Sequence, residues 1–226
     1  MFRDAVLVAS KDLRLELRSR VALNQVAPFA LLVLVLFAFA LDPDRGILAR
    51  ATSGLFWVAV LFSGLLAIQR AFTIEAGAGV RDALRLSGLD PAGIFLGKAG
   101  AVAAELLVLE VLLFAGVAIP YNAALPGDLL AGAMLLATCV VATAGLAAAG
   151  TLYGVLAAGL RVRETLLPLL LLPVVAPVLI GATQAFEAGL EGPTAEGWPW
   201  VSLLSVFAVI YTAFGVVAFG PLLEES

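Results

Sequence analysis

Residues 21–41, VALNQVAPFALLVLVLFAFAL, run for 21 positions without a charged side chain. At about 1.5 Å per residue, an α-helix over this stretch is about 31 Å long, which matches a hydrocarbon core of about 30 Å. Pro28 lies in the first half of the stretch and predicts a local bend there. The stretch therefore predicts a helix that spans a membrane.

The rest of the chain has the same character. Of its 226 residues, 62% are hydrophobic and 13% are charged, whereas a soluble domain is about 45–50% apolar and about 25% charged. The sequence predicts an all-α integral membrane protein of one permease domain, residues 1–226. Its six predicted spans cover about residues 21–41, 51–69, 99–120, 129–155, 165–186 and 198–220. The fourth apolar stretch is longer than one span needs, so a re-entrant piece would alter this topology.

On the N-terminal side of the first span, residues 2–20 predict an amphipathic helix. One apolar stripe runs from Phe2 to Leu17, and a basic stripe runs from Lys11 to Arg18. Such a helix commonly lies in the headgroup plane of the membrane. It is either a charged topology anchor or an elbow that packs on a neighbouring chain.

Basic residues are distributed unevenly between the two sides of the predicted bundle. Residues 1–20, 70–98 and 161–164 carry 11 of the 13 Lys and Arg residues. Because positive charge concentrates on the cytoplasmic side, these three regions and both termini are predicted to be cytoplasmic. The even number of spans agrees with this arrangement.

Residues 70–98, RAFTIEAGAGVRDALRLSGLDPAGIFLGK, form the one long link between spans that carries mixed charge. A short helix is predicted before Gly88, and Asp90 is a candidate N-cap for a helix that begins at Pro91. This cytoplasmic coupling segment either docks in a groove of a soluble partner or is a solvated loop. Its candidate contact residues are Glu75, Arg81, Asp82, Arg85, Ser87 and Gly88.

Catalytic and cofactor motifs are missing from the sequence. It has no His and one Cys, Cys139, so it offers no metal-ligating or haem-attaching pattern. The pair Gly77 and Gly79 lacks the GxxxxGK[ST] context of a nucleotide loop. We expect no enzymatic activity, no directly bound cofactor and no nucleic-acid partner; if ATP is used, a partner chain hydrolyses it.

The third span contains two acidic residues, Glu105 and Glu110. A charged side chain costs about 2.5–3.5 kcal/mol at the centre of a span and marks a functional candidate. Five residues place the two carboxylates about 140° apart on a helix, so they do not form a paired site. Each either pairs with a polar or basic group of a neighbouring span, or belongs to a proton or substrate relay.

The region after the fourth span begins with a charged turn that contains Arg161, Arg163 and Glu164. This turn is either a solvated topology signal or a contact with the coupling segment or a partner. The fifth span that follows contains Pro168, Pro173 and Pro177, which predict a kinked or broken helix. The prolines form either a functional hinge or a structural kink, and the sequence leaves both alternatives open.

A set of residues spread in order over nearly the whole chain carries a family resemblance. The residues are Lys11-Asp12-Leu13, Glu16, Arg18-Ser19-Arg20, Trp57, Leu61-Phe62, Arg70, Phe72, Glu75, Asp82, Leu84, Leu86-Ser87, Gly97-Lys98, Glu105, Gly150-Thr151, Arg161, Arg163-Glu164, Leu166–Pro173, Pro177, Leu222 and Glu224-Glu225. In these residues and in its order of elements, the chain resembles the membrane subunits of type-2 ABC exporters, and more narrowly the family of B subunits of the cytochrome c maturation haem exporters. Gly88 departs from the family, which more often has Pro after Leu-Ser.

The resemblance implies a bacterial inner-membrane permease subunit that works with other chains. In the lettering of the family these are an ABC ATPase (A), two further membrane subunits (C and D) and a periplasmic haem chaperone (E). The ATPase supplies ATP hydrolysis, and haem is handled by the partner chains, since this chain has no good iron ligand. The implied role is to couple hydrolysis to haem delivery or to release of the loaded chaperone. Two other functions stay open, a proton-coupled transporter that uses Glu105 or Glu110 and a membrane scaffold that transports nothing.

Overall fold

The computed structural model describes residues 1–41, 47–75, 88–118, 128–158, 163–190 and 193–225. Regular secondary structure within these residues is helical throughout. The α-helices are α1 Phe2–Ser19, α2 Ala27–Ala40, α3 Ile47–Glu75, α4 Pro91–Ala118, α5 Leu129–Ala158, α6 Arg163–Leu190 and α7 Thr194–Glu225. A π-helical turn, Ala22–Val26, precedes α2.

Six helical stretches in the described residues are long and apolar enough to cross a membrane, which confirms the predicted fold class. The stretches are Ala22–Ala40, Ala51–Thr73, Pro91–Ala118, Leu129–Ala157, Thr165–Leu190 and Thr194–Leu223. On either side of the coupling segment the helices run beyond the predicted spans, because α3 continues to Glu75 and α4 begins at Pro91. Helix α1 lies where the interfacial helix is predicted; its place in the headgroup plane stays a prediction.

The irregularity predicted around Pro28 takes the form of the π-helical turn. The Ala27 N–H bonds back to the carbonyl of Ala22, five residues earlier. A proline lacks an N–H and crowds the preceding turn, and a wider π turn is a common way to accommodate such a disruption. The first span therefore enters the bundle through a widened turn, and Pro28 is in the first turn of α2.

The start of α4 follows the predicted capping pattern. Asp90 Oδ1 accepts a hydrogen bond from the Ala92 N–H at 3.2 Å, and Pro91 is the first helical residue. Two residues earlier, Gly88 has a φ of 68°, a left-handed conformation that a proline ring cannot adopt. The turn before α4 thus depends on the glycine that departs from the family pattern.

Helix α5 is one unbroken helix from Leu129 to Ala158, so its described part contains no re-entrant piece. Its glycines allow close packing against two neighbouring helices. A Cβ on Gly145 would lie 3.0 Å from Phe207 of α7, and one on Gly150 or Gly154 would collide with Ile68 or Phe72 of α3. Small residues at such positions let helix backbones approach closely within a membrane.

Helix α6 continues from Arg163 to Leu190 through all three of its prolines. The fifth span, predicted to be kinked or broken, is therefore not broken within these residues, and a kink stays a prediction. Prolines are tolerated within spans because neighbouring groups can satisfy the freed backbone carbonyls. Helix α6 also packs into the core, where Phe186 stacks on Phe56 of α3 with ring centroids 4.7 Å apart.

Four elements meet at one end of the bundle, which we call the α1 end. The start of α4 contacts α1 through Gly93 and contacts the last part of α7 through Phe95, whose ring lies 5.6 Å from that of Phe219. The C-terminal part of α3 reaches the same end through Arg70. Both ends of the described chain therefore lie on the side of the bundle where α3 leaves and α4 enters. That this side is cytoplasmic stays a prediction.

Candidate functional site

Helix α1 docks on the first turns of α4 through two glycines spaced four residues apart. A Cβ on Gly93 would lie 2.7 Å from the carbonyl oxygen of Met1, and one on Gly97 would lie 2.6 Å from that of Ala5. Real Cβ atoms are not found this close to another atom, so any larger residue would push α1 away. The two glycines therefore set the distance between α1 and the bundle.

The side chains of α1 divide between three directions. Successive residues turn by about 100°, so Asp12 and Glu16 share one side, which faces α3 and α4. The predicted apolar stripe leaves its large members, Phe2, Val6 and Leu17, exposed on a second side. The basic residues Arg3, Arg14 and Arg18 are exposed on a third side. The helix thus turns its acidic residues to the protein, its apolar residues outward and its basic residues to a separate face.

Glu16 is the centre of the contact between α1 and α3. Its Oε2 lies 2.9 Å from Arg70 Nη1, and its Oε1 accepts the Ala22 N–H at 2.7 Å. Arg70 Nη2 also donates to Ser19 Oγ at 3.1 Å. One carboxylate thereby holds the end of α1, the beginning of the first span and the C-terminal part of α3. Charge-assisted hydrogen bonds of this kind are about twice as strong as neutral ones.

A second contact joins α1 to α4 through a buried cation. The Lys98 side chain is only 2% exposed, and its Nζ lies 3.6 Å from Asp12 Oδ2. Nζ is also 5.0 Å from the centre of the Phe72 ring of α3, within the range of a cation–π interaction. Burying an ammonium group costs several kcal/mol unless it is paired, and the Asp12 carboxylate and the Phe72 ring offset part of this cost.

Glu105 lies two turns beyond Lys98 on α4, on the same side of the helix. It lines a small cavity of about 40 Å³ together with Asp12, Glu16 and Arg70. Its Oε1 is buried and has no hydrogen-bond partner in the described part of the chain. The first of the two predicted intramembrane acids therefore sits beside the ion pairs of the α1 end rather than alone in a span.

We call these five residues, Asp12, Glu16, Arg70, Lys98 and Glu105, the ionic cluster. The cluster ties α1 to α3 and to α4, the two helices that flank residues 76–87. Two of its carboxylates face cations, Asp12 with Lys98 and Glu16 with Arg70, so its arrangement suits a mechanical connection between helices. A displacement of the link between α3 and α4 would reach α1 through these contacts.

Glu110 lies in a different environment, between α4 and α5. Its side chain is 3% exposed, and its Oε1 accepts a hydrogen bond from the Thr143 hydroxyl. The Cys139 thiol lies beside the same carboxyl. Glu110 also lines an apolar groove of about 460 Å³ whose wall includes Phe56 and Phe186. The two intramembrane acids thus belong to separate surroundings.

The structure leaves most of the predicted coupling residues undescribed. Arg81, Asp82, Arg85 and Ser87 lie outside the described residues, and so does Arg161. Glu75 is the last residue of α3, and Gly88 lies in the turn before α4. Arg163 and Glu164 belong to the first turn of α6. The structure describes the backbone but not the side chains of Glu75, Arg163 and Glu164. Their proposed contacts stay predictions.

Comparison with known proteins addresses the identity of the chain. A family model described as "CcmB protein" matches residues 3–226. The chain belongs to the CcmB protein family. A relative from Pseudomonas aeruginosa, named heme exporter protein B, is 29% identical over 218 residues, which cover 94% of both chains. Relatives of the same name from Rhodobacter capsulatus and Haemophilus influenzae are 33% identical over 83% of this chain and 84% of the relative, and 30% identical over 93% and 94%. These matches confirm the family indicated by the resemblance.

The ionic cluster consists entirely of residues that also carry the resemblance to the CcmB family, although the sequence singled out only Glu105 as a candidate. Two spacings could have marked three of the other four residues, and neither marks Arg70. Asp12 and Glu16 are four residues apart on a predicted helix, and Lys98 and Glu105 are seven apart on another. Both spacings put side chains on one face. These spacings mark candidate faces on the two helices, but they do not say which face meets the protein.

Proposed function

We propose that this chain is the permease subunit of an ABC-type complex for cytochrome c maturation. In this complex, a partner ABC ATPase docks on the coupling segment at the α1 end. Hydrolysis of ATP by that partner drives haem delivery or the release of a haem-loaded periplasmic chaperone. Two further membrane subunits, lettered C and D in the family, complete the assembly. The proposed location is a bacterial inner membrane with both termini in the cytoplasm.

The observation that carries this proposal is the connection made by the ionic cluster. Residues 76–87 link the end of α3 at Glu75 to the turn at Gly88, and both flanking helices are tied to α1. A force applied to the link by a soluble partner would move α1, α3 and α4 together. The sequence has no nucleotide-binding loop of its own. Membership of the CcmB family, whose relatives are named heme exporter protein B, supports the substrate class.

The ionic cluster favours a subunit that moves with the partner ATPase over a scaffold that transports nothing. A scaffold needs only a surface on which partners assemble, whereas the cluster uses buried charges to fix three helices to one another. Burying Lys98 to 2% exposure costs free energy, and its contacts with Asp12 and the Phe72 ring offset that cost only in this position. We therefore expect hydrolysis by the partner ATPase and movement of α1 to be coupled.

The test is a variant of the coupling segment in which Arg81, Asp82 and Arg85 are all replaced by Ala. In detergent-solubilised complex, we expect weaker copurification of the ATPase, or retained copurification with ATPase activity that no longer responds to the membrane subunits. A matched control replaces the exposed residues Arg3 and Arg14 of α1 by Ala, which lowers the basic charge of the same side without touching the segment. Unchanged copurification together with unchanged ATPase activity in the triple variant would contradict the proposal.

A further inference from the structure

A second concave surface lies at the α1 end, on the outer side of the ionic cluster. It is a groove of about 300 Å³ between the last turns of α1, the π-helical turn and α4. Its walls are apolar and include Leu17, Leu23, Ala104 and Val108, and Arg20 lines it where α1 ends. Neither the family assignment nor the coupling mechanism uses this groove.

The rim of the groove faces away from the bundle. Leu17 is 70% exposed and Val108 is 56% exposed, although both are large apolar side chains. In a protein whose spans cross a membrane, such residues face lipid. With α1 in its predicted place in the headgroup plane, the groove, which opens where α1 joins the first span, lies at the level at which acyl chains meet headgroups. Its opening is therefore accessible to a lipid of the leaflet on the α1 side.

The exposed charge at the rim of the groove favours an anionic occupant. Three charged residues line the groove, Glu16, Glu105 and Arg20. Glu16 is paired with Arg70 and Glu105 is half-buried, so Arg20 is the charged lining residue that is exposed. Arg20 forms no ion pair within the described part of the chain and its side chain is exposed. Its backbone is fixed in the left-handed region, with a φ of 52° and its N–H bonded to the Glu16 carbonyl.

The backbone of Arg20 ends α1 beside the apolar groove that this residue lines. A non-glycine residue with positive φ costs roughly 1–2 kcal/mol relative to the right-handed region. The elbow between α1 and the first span adopts this conformation despite its cost and thereby places Arg20 beside the groove. Arginine binds phosphate oxygens through two parallel N–H groups, which suits a lipid phosphate better than a single ammonium would.

We infer that this groove is a binding site for one anionic phospholipid. An acyl chain lies along Leu17, Leu23 and Val108, and the phosphate is bound by Arg20. Glu16 and Glu105 also line the groove on its inner side. There the Glu16 carboxylate is held by Arg70 and the Ala22 N–H, and Glu105 also lines the small cavity that it shares with Arg70. The lipid would stabilise the elbow that joins α1 to the first span.

The experiment is native mass spectrometry of the full chain in detergent, titrated with dioleoylphosphatidylglycerol or dioleoylphosphatidylcholine. We expect the first phosphatidylglycerol to bind at least about fivefold more tightly than phosphatidylcholine. One basic residue near a lipid surface contributes about 1 kcal/mol, so Arg20→Gln should remove about fivefold of that preference. Arg3→Gln is the matched control, because Arg3 is an exposed arginine near the other end of α1.

A second pair of variants tests the groove without changing charge. Ala104→Leu fills the groove and should abolish retention of the first phosphatidylglycerol, whereas Gly100→Leu, one turn away in open space, should not. Equal affinity of the wild type for the two lipids would overturn the inference. So would equal losses in Arg20→Gln and Arg3→Gln, which indicate diffuse attraction, or unchanged binding in Ala104→Leu.

Discussion

Arg70 Nη1 of α3 lies 2.9 Å from Glu16 Oε2 of α1, and the two side chains are only 25% and 17% exposed. The pair therefore joins the N-terminal helix to the helix that leads into the coupling segment. Each partner also holds a further group, because Glu16 accepts the Ala22 N–H and Arg70 donates to Ser19. Breaking the pair should therefore weaken the ion pair itself and both of these further hydrogen bonds.

We expect Arg70→Gln to lower the free energy of unfolding by about 1–3 kcal/mol, because it leaves the Glu16 carboxylate partly buried without its cation. Thermal unfolding of the purified chain in detergent measures this loss. Arg14→Gln, an exposed arginine on α1, is the control and should stay within about 0.5 kcal/mol of the wild type. In the double variant Glu16→Gln/Arg70→Gln the loss should be smaller than the sum of the two single losses. Additive losses would show that the two residues act independently.

The contact between α1 and α4 gives a prediction that involves no charge. Gly97→Ala places a Cβ 2.6 Å from the Ala5 carbonyl and should cost about 1–3 kcal/mol through overpacking. Gly100→Ala lies on the same helix with nothing within 4 Å and should be neutral or stabilising by up to about 1 kcal/mol. Denaturation curves of the two variants against the wild type give the comparison. If both variants lose stability equally, helix α1 does not depend on the close approach.

The spans could be predicted from the sequence because each is a long, predominantly apolar stretch, and a bilayer leaves a backbone of that kind few alternatives to a helix. The start of α4 at Pro91 could be predicted for a local reason, since Asp90 and Pro91 are adjacent and both favour a helix N-terminus. The family could be indicated because its residues are spread in order along the chain, and comparison with known proteins confirmed it.

The ionic cluster could not be assembled from the sequence, because its members come from three helices that only tertiary packing brings together. The pattern of α1 distinguishes apolar from polar residues but does not say which polar face meets the protein. Asp12 and Glu16 turn inward since Lys98 and Arg70 are there to receive them. Likewise, the unbroken course of α6 through three prolines depends on its neighbours, which local propensity does not include.

The contact between Glu110 and Thr143 predicts an asymmetric response to substitution. Thr143→Val removes a hydroxyl donor and leaves a buried carboxyl with one partner fewer, so we expect a loss of about 1–3 kcal/mol. The double variant Glu110→Leu/Thr143→Val replaces both polar groups by apolar ones and should recover part of that loss. Thermal unfolding in one detergent measures all three proteins. A double variant less stable than Thr143→Val alone would contradict this account of the pair.

Replacing Glu110 also separates a structural role from proton transport. Glu110→Gln keeps an oxygen that can accept from Thr143 but cannot exchange a proton, so a structural Glu110 predicts near wild-type cytochrome c maturation in cells that carry this variant. Glu105→Gln provides the same comparison at the second acid. Loss of maturation in Glu110→Gln, with normal protein levels and normal thermal stability, would instead support the proton-coupled alternative.

The left-handed conformation of Gly88 predicts how substitutions affect the turn before α4. Its φ of 68° lies in the left-handed region, and a Cβ there would meet nothing within 4 Å, so the cost of a substitution comes from the backbone alone. Gly88→Ala should cost roughly 1–2 kcal/mol, and Gly88→Asn less, since asparagine tolerates this region better. Gly88→Pro cannot keep the turn, because the ring holds φ near −65°.

We expect hydrogen exchange at the first turn of α4 to increase in the order Asn, Ala, Pro. Gly54→Ala, in open space within α3, is the control and should leave that exchange unchanged. If Gly88→Pro instead protected this turn as well as glycine does, the left-handed turn would not be what positions the start of α4.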